Sequence, residues 1–213
     1  MKLGIFGGTF NPVHCGHIEL VRHFAELAGL DKVLLIPTNI PPHKASRDLL
    51  SGETRFEMCC LAVEGDEKIE VSDVELRRDG GSYTIDTLKE IEKQYPDAQL
   101  YLIMGADMLM CLDSWRDYRG IIDRCVICAA ARNDDSVEEL VAKARSLDIP
   151  EGRVIISDEE IMTVSSTQIR ENIKNSISVR GLVPCTVEEY IPNCTRCSSS
   201  QTKESSSRTG TAP

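Results

Sequence analysis

The sequence predicts an α/β protein: a doubly wound parallel sheet with helices on both faces and a small helical part at the C-terminal end. Three observations carry this. Short apolar runs of strand length, Leu3 to Phe6, Lys32 to Ile36, Leu100 to Met104 and Cys125 to Ala130, alternate with stretches of helical spacing. The first run is broken by Gly7-Gly8, and apolar residues then recur at Ile18, Val21, Phe24, Ala25 and Ala28. A helix between two apolar strands is a βαβ unit, which makes the strands parallel.

Composition bounds the function. A chain of 213 residues suits one domain with a real core. Hydrophobic content of 41% and charged content of 27% place it among ordinary globular proteins. A net charge of −10 argues against a general nucleic-acid partner, yet leaves room for a small phosphorylated ligand in a local basic pocket. No apolar run approaches the roughly 20 residues that span a bilayer, and the start lacks the apolar core of a signal peptide. The expectation is a cytoplasmic chain with no membrane partner and reduced thiols. Homo-oligomerisation is left open.

Cys59, Cys60, Cys125 and Cys128 lie in apolar runs and are expected in the core. Cys125 and Cys128 are spaced like a metal or redox pair, but strand alternation would not present both thiols together. Cys194 and Cys197 lie at the edge of the tail with no second pair. No protein-held metal is expected.

The first turn is the best candidate site. Gly7-Gly8 ends a strand, Asn11-Pro12 signals a turn, and a helix follows. That brings bare backbone N–H groups to a helix N-terminus, an anion site. His14 and His17, three residues apart, share one face of the first helical turn. A glycine turn, a helix dipole and two imidazoles suit a phosphate that gains charge during a reaction. The pattern is neither G-x-G-x-x-G nor G-x-x-x-x-G-K-[ST].

The second strand, Lys32 to Ile36, is closed by Pro37 and leads into the loop Thr38 to Lys44. His43 and Lys44 would point charge over the strand ends, where open α/β sheets bind ligands. Ser51 is a candidate N-cap for a helix over Gly52 to Val63, with Phe56, Cys59, Cys60 and Val63 on one face. Lys68 to Val71 and Val74 to Leu76 read as short strands, and Asp79-Gly80-Gly81 as a turn. Ser82 to Leu88 opens another helix, whose N-terminus suits a carboxylate unless Ser82 or Thr84 caps it.

After Leu100 to Met104, Gly105 and Asp107 are placed to approach a nucleotide sugar. Trp115, between Ser114 and Arg116, is placed to stack on an aromatic ring. Cys125 to Ala130 is followed by Arg132. Ser136 to Leu147 reads as an acidic amphipathic helix, and Val154 to Ile156 as the last strand. Ser165, Ser166 and Thr167 open a helix ending near Asn175. Arg170 lies four residues past Ser166, so hydroxyls and guanidinium can face a polyphosphate. A final helix runs near Val187 to Ile191. Residues 193–213 collapse into Ser, Thr, Lys and Gly and are expected to be a disordered tail after a domain spanning 1–192.

His14-Cys15-Gly16-His17 resembles the (His/Thr)-x-Gly-His signature of a nucleotidyltransferase superfamily, which implies a Rossmann-like fold. Four further segments narrow the resemblance: Pro41-Pro42-His43-Lys44, Ser82 to Leu88, Gly105-Ala106-Asp107 with Trp115, and Val164 to Arg170. All five, in order from Met1 to about Ile191, are together similar to the bacterial nicotinate mononucleotide adenylyltransferases. Thr9-Phe10-Asn11 stands where Ser-Phe-Asp is frequent in that family, and Val164 where Ile is.

The resemblance implies AMP transfer from ATP to nicotinate mononucleotide, giving deamido-NAD and pyrophosphate. Pantetheine-phosphate or nicotinamide-mononucleotide adenylyltransferase, or a sensor without catalysis, are the alternatives. It implies that His17, with His14, stabilises the α-phosphate, and that Lys44 and Arg170 neutralise polyphosphate charge. Gly7, Gly8, Thr9 and Phe10 would offer backbone to the nucleotides, and Ser166 and Thr167 would cap the triphosphate side. Gly105 and Asp107 would complete the ATP site. Tyr83, Thr84, Thr87 and Trp115 would hold the pyridine nucleotide together with Thr9, Phe10 and Lys44. Mg²⁺ would arrive on the ATP phosphates.

Overall fold

The computed structural model describes residues 1–39, 49–131, 137–159 and 161–191. His43, Lys44, Arg132, Ser136, the Cys194/Cys197 pair and the serine-rich tail therefore lie outside the described residues. The expected disorder of 193–213 falls there too.

Six strands form one parallel sheet: β1 (Lys2–Gly8), β2 (Lys32–Pro37), β3 (Ile69–Val71), β4 (Gln99–Gly105), β5 (Cys125–Ala130) and β6 (Val154–Ser157). Their order is β3-β2-β1-β4-β5-β6, so the chain winds outward in both directions from β1. The helices are α1 (Cys15–Leu27), α2 (Gly52–Ala62), α3 (Thr84–Gln94), α4 (Ala106–Met110), α5 (Tyr118–Arg124), α6 (Val137–Ser146) and α7 (Ser166–Lys174). A 3-10 turn spans Leu112–Ser114, and residues 185–191 are helical.

Strand alternation sorts the core into two layers. Phe6, Val33, Leu35, Tyr101, Ile103, Val126 and Cys128 pack with residues of α1, α2 and α7 on one face. Leu3, Ile5, Leu34, Leu100, Leu102, Cys125 and Ile127 pack with residues of α3 to α6 on the other. This is the doubly wound fold expected from the pattern. Cys125 and Cys128 sit in different layers, on opposite sides of β5.

Three expectations are corrected. Val74 to Leu76 is a turn rather than a strand, with the Arg77 N–H donated to the Asp73 carbonyl at 3.0 Å. The buried Glu75 carboxylate anchors it by accepting from the Thr87 hydroxyl at 2.7 Å. Cys60 is exposed, because the buried face of α2 consists of Arg55, Met58, Cys59 and Ala62. Phe56 is accordingly only half-buried. The expected cap does hold: Ser51 Oγ accepts from the Thr54 N–H at 3.1 Å.

Candidate active site

The sheet opens between its two innermost strands. β1 pairs with β2 as far as Gly8–Pro37, and β4 with β5 as far as Gly105–Ala130. The β1–β4 ladder stops at Ile5–Leu102, so the two strands have no pairing at their carboxyl ends. In a doubly wound sheet this topological switch point is where ligands bind.

Gly7 and Gly8 divide the work at the end of β1. Gly7 is exposed although it lies in a central strand, and a Cβ there would meet nothing nearer than the Ile36 carbonyl at 4.0 Å. Backbone is thus presented to open space in the crevice. A Cβ on Gly8 would lie 2.7 Å from the Phe10 ring, so the bare backbone lets that ring fold back. Phe10 is buried with φ of +46°, a left-handed conformation that costs energy in a bulky residue. Its ring lies 5.4 Å from Phe6 and meets His17 edge-on at 5.0 Å.

The two histidines cap α1 and one another. The His17 N–H donates to His14 Nδ1 at 3.3 Å, and the His14 N–H donates to His17 Nδ1 at 3.2 Å. This is a capping box built from imidazoles. Their rings stack, with centroids 3.5 Å apart. Each Nδ1 is an acceptor, so in the neutral ring the proton sits on Nε2. Histidine here serves as cap acceptor and still carries an Nε2–H donor, which a serine–glutamate box could not present.

Gly16 explains the third motif position. A Cβ on it would lie 2.4 Å from the Met162 carbonyl, so the segment before α7 crosses the head of α1 only over a glycine. α7 then docks on the turn after β1. Arg170 donates to the Asn11 carbonyl at 2.8 Å and to Thr167 Oγ1 at 3.1 Å. Ser166 Oγ donates to the Pro12 carbonyl at 3.0 Å, and Ser165, the N-cap, accepts from the Thr167 N–H at 3.2 Å. His14, His17, Ser166, Thr167 and Arg170 therefore gather around residues 10–14. Gly105, the N-cap of α4, closes β4 across the crevice, with Asp107 exposed in the first turn.

A second group lies around α3. Its N-cap, Tyr83, makes no side-chain cap bond, and Ser82 Oγ instead accepts from the Asn39 N–H at 2.9 Å. Neither Ser82 nor Thr84 caps the helix. Tyr83 and the half-buried Trp115 pack on the same core layer. The Arg116 guanidinium lies 4.8 Å from the Tyr83 ring centroid and pairs with Asp86 at 3.6 Å. Thr87 is 2% exposed, and its hydroxyl takes a bond from Arg78 at 2.9 Å besides donating to Glu75. Its polar contacts are thus with the protein.

Sequence reasoning passed over two contributors, Asn11 and Arg55. Buried Asn11 accepts the Leu50 N–H on Oδ1 at 3.2 Å, besides the Arg170 bond on its carbonyl. Arg55 is 1% exposed and donates to the carbonyls of Thr9, Leu50 and Asn39 at 2.8, 3.0 and 3.3 Å. The signal for Arg55 was present: it stands in i, i+3, i+4, i+7 register with Met58, Cys59 and Ala62.

Comparison with known proteins agrees with this geometry. Residues 5–172 match the cytidylyltransferase-like family. A probable nicotinate-nucleotide adenylyltransferase of Clostridium novyi (strain NT) is 36% identical over 184 residues, 86% of this chain and 92% of its own length. One of Desulfitobacterium hafniense (strain DSM 10664 / DCB-2) is 39% identical over 195 residues, 89% of this chain and 92% of its own. In fold, the chain resembles the Plasmodium falciparum nicotinic acid mononucleotide adenylyltransferase solved with NaAD, at a TM-score of 0.75 and 16% identity, covering 90% of this chain and 95% of that one. A crevice at the switch point, a bare glycine turn and a paired-imidazole helix cap thus meet in a chain that belongs to the cytidylyltransferase-like family, among the nicotinate-nucleotide adenylyltransferases.

Proposed function

We propose that this enzyme transfers AMP from ATP to nicotinate mononucleotide, giving deamido-NAD and pyrophosphate. The observation that carries the reading is the stacked His14–His17 pair, its Nδ1 atoms tied to backbone N–H groups, at the head of α1 beside the open edge of Gly7.

A 5′-phosphate oxygen of the acceptor forms the new bond to the ATP α-phosphorus. The bond from that phosphorus to the bridging oxygen breaks, and pyrophosphate leaves. The nucleophile is already ionised at neutral pH, so the protein has to align two anions and stabilise charge. The Nε2–H of His17, with that of His14, meets the α-phosphate. Arg170, Ser166 and Thr167 take the outer phosphates at the start of α7. Gly7, Gly8, Thr9 and Phe10 bring backbone to both nucleotides, and Gly105 and Asp107 flank the adenosine side. Lys44 is assigned to phosphate charge from the sequence resemblance.

For the acceptor, Trp115 and Tyr83 offer ring faces, and Thr84 begins a helix without a side-chain cap. That helix end favours the nicotinate carboxylate over a neutral amide by about 0.3–1 kcal/mol if exposed and up to ~2 if partly buried. Thr87 supports the same end of α3 through Glu75 and Arg78.

Among the described residues no group of three or more His, Cys, Asp or Glu side chains could hold a metal ion. The Mg²⁺ implied by the family resemblance would arrive on the ATP phosphates and neutralise polyphosphate charge. Also among the described residues, no helix is long and apolar enough to cross a membrane.

The test is pyrophosphate release by purified protein with ATP and, in turn, nicotinate mononucleotide, nicotinamide mononucleotide and phosphopantetheine. The expected result is fastest release with the first. No turnover with any of them, or a faster rate with either of the others, rejects the proposal.

A further inference from the structure

Arg55, 1% exposed, is the most buried charged residue among the described residues, and it belongs to neither half of the proposed site. Among the described residues its hydrogen-bond partners are three carbonyls and no carboxylate. Burial pushes its pKa down, yet a guanidinium stays protonated in proteins. Burying a charge is costly, so the three bonds that hold it must secure something in return.

Its contacts give a reason. The Thr9 carbonyl belongs to the turn after β1, next to Phe10, whose ring meets His17. The Asn39 carbonyl belongs to the segment after β2, and the Asn39 N–H is held by Ser82, just before the uncapped end of α3. Leu50, the third partner, is tied by its own N–H to Asn11. One planar fork with fixed donor directions thus spans both nucleotide regions.

We infer that Arg55 is a positioning residue: by holding the carbonyls of Thr9 and Asn39 on one guanidinium, it fixes the ATP side of the crevice relative to the acceptor side. This rests on the adenylyl-transfer reading above. In-line attack requires two separately bound nucleotides to meet in one geometry, and a small misplacement costs rate even when each binds normally. Loss of Arg55 should therefore appear in kcat and leave the two KM values nearly alone.

The experiment compares Arg55→Met and Arg55→Lys with wild type. Initial rates are measured with ATP and nicotinate mononucleotide, ATP binding is measured without acceptor, and thermal unfolding is followed. The expected result is ATP affinity and both KM values within about threefold of wild type. On the same reasoning, kcat falls roughly a hundredfold in the Met variant and about tenfold in the Lys variant, which keeps charge but loses the fork. If the Met variant does not fold, the Lys variant decides: a kcat within twofold of wild type overturns the inference. So does a rise in KM at unchanged kcat, which is what a simple binding or stability role would give. The wild-type rate tests the adenylyl-transfer reading separately. Should it be nil, amide NMR signals of Phe10 and Ser82 in folded variant still decide: both shift if Arg55 holds the two sides, and the inference fails if either stays in place.

Discussion

His17 uses its two ring nitrogens differently, and a substitution can separate them. The bond that caps α1 runs from the backbone N–H of residue 17 to His14 Nδ1, so His17→Ala retains it. What that variant loses structurally includes the return bond from the His14 N–H, worth about 1 kcal/mol, and the ring contacts with His14 and Phe10. What it loses in the proposed chemistry is a donor at the α-phosphate, a loss of at least about a hundredfold in kcat. A folded His17→Ala protein with near-normal turnover would remove this residue from the mechanism. The neighbouring glycines make an opposed pair. Gly7→Ala places a methyl in open space, so the melting temperature should hold while nucleotide binding weakens. Gly8→Ala drives a methyl to 2.7 Å from the buried Phe10 ring, so melting itself should fall. Paired thermal melts and ATP titrations check both; equal melting losses would mean that Gly7 is packed rather than presented.

In the proposed reaction two helices would divide the substrates between them. α7 reaches the turn after β1 through Arg170 and Ser166, whereas α3 and Trp115 are assigned to the acceptor. Arg170→Ala should raise KM for ATP about tenfold or more, the scale of one charge-assisted bond, and barely change KM for nicotinate mononucleotide. Trp115→Ala should do the reverse. Steady-state kinetics with each substrate varied in turn gives the answer, and parallel changes in both variants would defeat the division. Much of this arrangement is legible in the sequence. The change of period at Gly7-Gly8 marks where β1 ends and α1 will start, and His14 with His17 falls on the first turn. Val74 to Leu76 is not legible, since three alternating residues fit a strand as well as a turn; the buried Glu75–Thr87 bond, made across 12 residues, decides. Arg55 is missed because arginine on an amphipathic helix is ordinarily assigned to solvent. Only the carbonyls of three distant segments make its burial tolerable, and no local pattern records them.

At the scale of the whole molecule, both core layers contain buried thiols, and this governs behaviour at high pH. Cys59 and Cys128 lie in one layer and Cys125 in the other. Burial pushes the Cys125 and Cys128 thiols up to about 12 from an ordinary 9.0, and raises Cys59 as well. Unfolding releases each to ionise near its ordinary value. Above pH 9.0 the unfolded chain therefore binds fewer protons than the folded one, and stability falls as pH rises. Their stabilising effect is fully present below pH 9.0 and declines progressively up to about 12. Each thiol contributes a slope of about 1.4 kcal/mol per pH unit, so the three together give roughly 4. Set against a total stability of about 5–15 kcal/mol, that is enough to unfold the protein within a few units. An alkaline fall in adenylyl transfer should therefore coincide with loss of fold. Urea midpoints measured between pH 8 and 10.5 should drop steeply above pH 9.0, and Cys128→Ala should make the slope about a third shallower, though from a lower starting stability because of its cavity. Midpoints that stay level across that range, or a slope untouched by Cys128→Ala, would show that the buried thiols do not set the alkaline limit.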